Sequence, residues 1–396
     1  MFRLVLTLAF IVGACAADSF PLRVFPPESK ILNDPETGAK LTLLTTDTAK
    51  DTVLYFHQRS FLKDESLVFF YSDRKPEGVK SSLWAFIAAT GEIVAVTTPT
   101  GNLGCPTAEV ERPSVLGMRG RQLVELTIHV TPSGDPAKRS EVTAEDRVIA
   151  EFPEGDSPSE LNENADGTLA ALGGSYPQFN GPGIKVVDLK TGAIRPVCAV
   201  PDPPKYQGHI QWSHVNPNLL SFAGLKPRLW VVDVRDNTPR NIYPEVDKEL
   251  VTHEHWWVKN EQGDDQMIFC GGLHPKPAED SHVKVVNLRT GEVRLLAAGA
   301  WHPGIIDDDA AKSNYWHCSG ADNGRWVAAD NWYGDITIID TKTVRPHVLT
   351  TANREYGHGE HPHVGWDRKS QRVIFTSERN GSADICIAEL PGEWGK

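Results

Sequence analysis

The chain has no Cys-x-x-Cys pair and few cysteines for its length. There are six in 396 residues, with Cys105, Cys198, Cys270, Cys318 and Cys386 scattered beyond Cys15. That argues against a cysteine-based zinc site and a disulfide-dense scaffold, and leaves room for one or two bridges in an oxidising compartment. Positive charge is also short: 40 Lys and Arg stand against 52 Asp and Glu, a net charge of −12. Nucleic acid is therefore a poor main partner, because phosphate binding needs a basic footprint. An acidic sugar would need a local cationic island. No amphipathic helical period stands out, so nothing is available to cover a parallel sheet. No run is long enough to cross a bilayer, and no low-complexity linker divides the chain. The Pro- and acid-rich stretch from Glu151 to Pro158 reads as a loop between strands.

What is present begins with an export signal over residues 1–17. Arg3 supplies a positive charge, Leu4 to Val12 an apolar run, and Gly13-Ala14-Cys15-Ala16-Ala17 the small residues of a cleavage site. Val12-Gly13-Ala14-Cys15 also resembles a lipobox, which would lipidate Cys15. The expected location is periplasmic or secreted, with that lipid as the one membrane attachment. Oligomeric state is left open.

Residues 18–396 repeat a two-part phrase, a hydrophobic strand after a polar turn and then a second strand that often ends in Asp or Asn. Leu67–Tyr71 precedes Leu83–Ile87, and Leu169–Leu172 precedes Ile184–Asp188. Leu219–Phe222 precedes Leu229–Asp233, and Met267–Cys270 precedes Val283–Asn287. Trp326–Ala329 precedes Ile336–Asp340, and Val373–Thr376 precedes Ile385–Ala388. The spacing of about 50 residues is that of propeller blades. Leu123–Ile128 fills the single doubled interval, giving seven. The prediction is all-β, one seven-bladed β-propeller whose radial packing leaves only short protected edges.

Histidines recur at one phase of this repeat. His57, His209, His253 with His255, His317, and His361 with His363 all precede a buried strand, and equivalent places in successive blades share one rim of the channel. His358-Gly359-Glu360-His361-Pro362-His363 puts three imidazoles in six residues, a metal half-site that wants a further ligand.

These residues match a known family. Thr252-His253-Glu254-His255-Trp256, Pro227-Arg228-Leu229-Trp230, the segment around His317, and His361-Pro362-His363 resemble the oligogalacturonate lyases of polysaccharide lyase family 22. The resemblance implies a seven-bladed propeller and a manganese ion held at His317, His358, His361 and His363. It also implies proton abstraction by the pair Arg228 and His253. His358 stands where the family has Gln, and His255 where it has an aromatic residue. A four-nitrogen set suits Zn²⁺, Ni²⁺ or Fe²⁺ as well.

The implied reaction is β-elimination from a short uronic-acid oligosaccharide, an oligogalacturonate first, giving a 4,5-unsaturated uronate. A base near neutral pKa takes the C5 proton, a role that suits His253. Arg228 suits holding the carboxylate by its planar fork, with a share in the base role left open. His209, Gln211, His57, Gln58, Arg59 and His255 are the expected contacts to substrate. Two other readings remain: a lyase for another uronide, such as a glucuronate-containing glycan, and a non-catalytic periplasmic binding propeller. No carboxylate pair stands out at this rim to favour a hydrolase.

Overall fold

Runs of β-branched and aromatic residues set the strands. Leu67–Ser72, Leu169–Tyr176, Leu219–Gly224, Gln266–Gly271, Trp326–Asp330 and Arg372–Ser377 are largely buried strands. Each pairs antiparallel with the strand that follows it in sequence. The structure, a computed structural model, describes residues 19–135, 137–200, 206–247, 249–272, 281–299, 314–355 and 359–395. Among these residues there is no α-helix, only the 3-10 turns Pro177–Phe179 and Gly392–Gly395. No helix among them is long and apolar enough to cross a membrane. The expected signal peptide and Cys15 lie outside the described residues.

The strands form seven antiparallel sheets, the blades of a β-propeller, numbered 1 to 7 as the sheets that hold Leu67–Ser72, Gln122–Thr131, Leu169–Tyr176, Leu219–Gly224, Gln266–Gly271, Trp326–Asp330 and Arg372–Ser377. Apolar clusters fill the spaces between adjacent blades. Phe69 and Ala85 of blade 1 meet Val115, Val124 and Leu126 of blade 2, and Ile268 and Val285 of blade 5 meet Cys318 and Val327 of blade 6. A central strand is thus covered on both faces, which is why it reads as an unbroken apolar run. Leu123–Ile128 falls within Gln122–Thr131, the third strand of blade 2, as the repeat requires.

One assignment changes. The buried runs look like each blade's first strand, but they are the second. The innermost strands come before them: Asp51–Val53, Gly104–Ala108, Ser157–Glu163, Tyr206–Trp212, Val251–Trp257, Cys318–Gly320 and Gly365–Trp366. They border the channel and several are short, so they lack a clear hydrophobic period. His209, His253 and His255 therefore lie within innermost strands, while His317 and His363 lie just before theirs.

The ring closes with strands from both parts of the chain. Lys40–Leu43 pairs with Asp384–Glu389 in blade 7, Leu43 opposite Cys386 and Leu41 opposite Ala388, and Lys30–Asn33 lies outside it. Upstream, Arg23–Phe25 edges blade 1 and Phe20–Pro21 edges blade 2. Asp34, at the tip of this hairpin, takes hydrogen bonds from Thr350 Oγ1 (2.8 Å) and Thr351 N (2.9 Å) of blade 6 and from Arg379 of blade 7.

Candidate active site

Blades 4 and 5 deform at the same place. In blade 4, Gly208 pairs with Ala223 and Gln211 with Ser221; in blade 5, Thr252 pairs with Cys270 and His255 with Ile268. Two residues thus oppose one in each, His209 and Ile210 facing Phe222 and His253 and Glu254 facing Phe269, a β-bulge that re-aims the side chains inside it. His209 (φ 62°) and His253 (φ 44°) take the left-handed backbone these bulges impose, and His363 (φ 50°) takes it ahead of blade 7. Such strained non-glycine residues gather at functional sites. Gly208 (φ 92°) is a glycine for space as well as conformation, because a Cβ there would meet Glu160 Oε1 at 2.6 Å.

The first group of side chains is built on a fully buried carboxylate. Glu254 Oε2 accepts from Arg228 Nε at 2.7 Å, and Oε1 lies 3.1 Å from His209 Nδ1. Arg228 Nη2 is 3.0 Å from the same nitrogen, and Tyr55 Oη is 3.1 Å from His209 Nε2. Burial pushes Glu254 up, but Arg228 and then His209 outweigh it and hold the carboxyl at about 2. Burial keeps the Tyr55 phenol protonated, and Glu254 adds to that.

The second group is imidazole. The ring of His317 stands 4.5 Å from His363 and 5.3 Å from His361, and those two are 5.9 Å apart, centre to centre. Asp330, at the end of Trp326–Asp330, lies 2.9 and 3.0 Å from His317 Nδ1 through its two oxygens and takes the His363 backbone N–H at 3.2 Å. That leaves His317 Nε2 as the nitrogen available to a ligand. Arg354 Nη1 lies 2.9 and 3.1 Å from the two nitrogens of His361. Burial lowers all three rings, His361 to about 4, so each is neutral and offers a lone pair at pH 7.

His253 stands between the groups. Its ring is 4.0 Å from His317 and 6.0 Å from His209, with Trp316 at 5.2 Å on the rim. Nδ1 is engaged by Thr252 Oγ1. Burial, then His317 and Arg228, lowers its pKa well below the usual value.

The other expected contacts divide. His209, His57 and Gln58 line an open pocket of about 440 Å³. Gln211 and His255 do not reach it. Gln211 is buried and donates through Nε2 to the Glu254 carbonyl at 2.9 Å, so it braces the bulge of blade 5. His255 is buried as well, its Nδ1 2.7 Å from the Trp256 carbonyl and its ring 4.9 Å from His214. It lines a small cavity of about 60 Å³ within the channel together with Arg59, which faces Glu163 at 3.8 Å. The register break after Thr252 is the reason: His253 and His255 no longer share a face. Trp212 and Trp256 are core residues, 1% and 0% exposed. His358 lies outside the described residues.

Sequence reasoning missed Tyr55, Asp330 and Arg354. Asp330 carried a faint signal as the acid that ends a buried strand at the rim.

A divalent ion has two candidate places. His57, His209 and Glu254 have donor atoms within 4.8 Å of one another, the tightest such set among the described residues. Its one carboxylate is already paired with the Arg228 guanidinium, which adds a positive charge where an ion would bring two more. His317, His361 and His363 form a more open set with neutral donors and a carboxylate behind His317, and here too a guanidinium, that of Arg354, stands at one donor, His361. The chemistry of these donors fits a divalent transition metal.

No protein-family model and no curated protein matches the chain. Solved structures do. An oligogalacturonate lyase from Vibrio parahaemolyticus aligns over 96% of this chain and 100% of its own, with a TM-score of 0.69 and 17% identity. An oligogalacturonate lyase in complex with manganese aligns over the same shares, at 0.70 and 18%. The chain has the oligogalacturonate lyase fold. A puromycin-hydrolyzing peptidase from Mycobacterium tuberculosis also aligns, over 90% of this chain but 57% of its own, at a TM-score of 0.52 and 13% identity. Propellers of this kind carry different chemistries, so activity has to be argued from the site. The likeness to the oligogalacturonate lyases, end to end in both chains, bears out the seven-bladed architecture expected from the repeat.

Proposed function

We propose that the chain is an exported, metal-dependent lyase that cleaves short uronic-acid oligosaccharides by β-elimination, with oligogalacturonates as the first substrate to test. The observation that carries this reading is the placement of His253, a neutral imidazole on a bulge, between the Arg228–Glu254 pair and the His317–His361–His363 group. The shared fold with oligogalacturonate lyases, one of them a manganese complex, supports it.

In this reading His253 Nε2 takes the C5 proton. The C5–H electrons become the C4–C5 double bond, the C4–O bond breaks, and its electron pair leaves with the glycosidic oxygen, which is protonated by solvent. Arg228, fixed through Nε, offers its remaining N–H groups to the uronate carboxylate. His317, His361 and His363 would hold the metal, with Asp330 orienting His317. A divalent ion there would neutralise the uronate carboxylate and favour the charge that develops next to it. Tyr55 and His209 hold the side of the site nearest the open pocket.

Ultraviolet absorbance with di- and trigalacturonate, with and without chelator, tests this. A metal-dependent rise is expected from the conjugated product. Silence on galacturonides and on glucuronate-containing glycans would leave a binding propeller.

A further inference from the structure

The open pocket beside the catalytic groups is the place a neighbouring sugar would occupy. Its walls come from four blades: Tyr55 and Tyr71 from blade 1, Cys105 from blade 2, Ser159 and Glu160 from blade 3, and His209 from blade 4. At about 440 Å³ it has room for one pyranose with bound water.

Its chemistry is one-sided. No Lys or Arg is among the described residues that line it. Glu160 contributes a carboxylate, held in place where Oε2 accepts the Ile210 N–H at 3.0 Å beside Gly208. Gln58 and His57 complete the wall on the blade 1 side. The wall therefore carries a negative charge and, among the described residues, no positive one, next to two tyrosines. Hydroxyl groups donate to acceptors; an ionised carboxylate has nothing to donate and is repelled by Glu160.

Resting on the lyase reading above, we infer that this pocket is a subsite for a neutral sugar adjoining the uronate that reacts. The preferred substrate is then an oligosaccharide in which uronate and neutral sugar alternate. A run of uronates is the poorer substrate, because its second carboxylate would have to enter the pocket.

The test compares an alternating uronate–neutral-sugar tetrasaccharide with tetragalacturonate, using the metal-loaded full chain and the absorbance of the unsaturated product. A kcat/KM at least tenfold higher on the alternating substrate is expected. Equal rates, or faster cleavage of tetragalacturonate, overturn the subsite while leaving the lyase standing. Glu160→Gln keeps an oxygen for the Ile210 N–H and is expected to raise kcat/KM on tetragalacturonate several-fold, narrowing the gap. An unchanged ratio of the two substrates in this variant counts against the subsite. Absence of product from both substrates overturns the lyase reading, and calorimetric titration of the same two saccharides then decides the pocket alone. Tighter binding of the alternating one supports the subsite; tighter binding of tetragalacturonate, or no binding of either, overturns it.

Discussion

Arg228 Nε donates to Glu254 Oε2 across 2.7 Å, and that contact joins a rim hairpin of blade 4 to the bulged inner strand of blade 5. The guanidinium is aimed by a carboxylate with no exposure of its own. Glu254→Gln removes the charge that aims it and is expected to lower kcat roughly 100-fold, the scale of a misplaced binding group. Arg228→Lys keeps a positive charge but loses the planar fork, and a similar loss is expected. Steady-state kinetics with circular dichroism as a folding control would check both. Near-wild-type activity in either variant would remove this pair from the site.

Metal content distinguishes the two candidate ion sites. His317→Ala and His363→Ala are expected to purify without the metal, and Asp330→Asn with an affinity about 10- to 100-fold weaker. Glu254→Gln should retain it. Elemental analysis of the four variants gives the answer. The opposite pattern would move the ion to His57, His209 and Glu254.

The pH profile reports on His253. Its pKa is lowered, by burial first, so protonation sets in only well below the ordinary imidazole range. kcat/KM should be flat from about pH 6.5 upward through neutrality and fall only on the acid side. His253→Gln should cost roughly 10²- to 10⁴-fold, the usual range for a general base. An acid limb centred at or above the ordinary imidazole value would exclude His253 as the base.

Ring closure should be acid-sensitive at Asp34. Burial alone would raise this carboxyl, but hydrogen bonds from Thr351, Thr37, Thr350 and Glu36 bring it down to about 2 from 3.8. A lowered folded-state pKa gives stability that is complete above the unfolded value and lost as pH falls through the folded one. That amounts to about 2 kcal/mol between pH 5 and pH 2. Denaturant unfolding of wild type and Asp34→Asn over this window should show the two curves converging at low pH. A constant gap would mean that the titration of Asp34 does not couple to folding.

The fold was legible because paired apolar strands recur at a fixed interval, and a blade's two central strands must be apolar on both faces. The innermost strands were not legible, since facing a polar channel erases their hydrophobic pattern. His253, Arg228, His317, His361 and His363 stood out by motif and by phase. Asp330 did not. It ends a strand in Asp, as do Asp188, Asp233 and Asp340, whose carboxylates take backbone N–H groups of the following turn and, at Asp233 and Asp340, an arginine side chain. Only the neighbouring blade tells one role from the other. His255 misled for a related reason: alternation puts it beside His253, and the bulge between them undoes that.

Blade 7 also sets an order of events. Its strand Asp384–Glu389 is synthesised long after its partner Lys40–Leu43. During translation that early strand has no mate, and its open edge must wait until the core strands of the six other blades have emerged. Pairing so distant in sequence is slow to form. The histidines just before blade 7 are therefore the last of the site to be positioned, so a ribosome-bound or prematurely ended chain would hold the arginine side of the centre and His317 without His361 and His363.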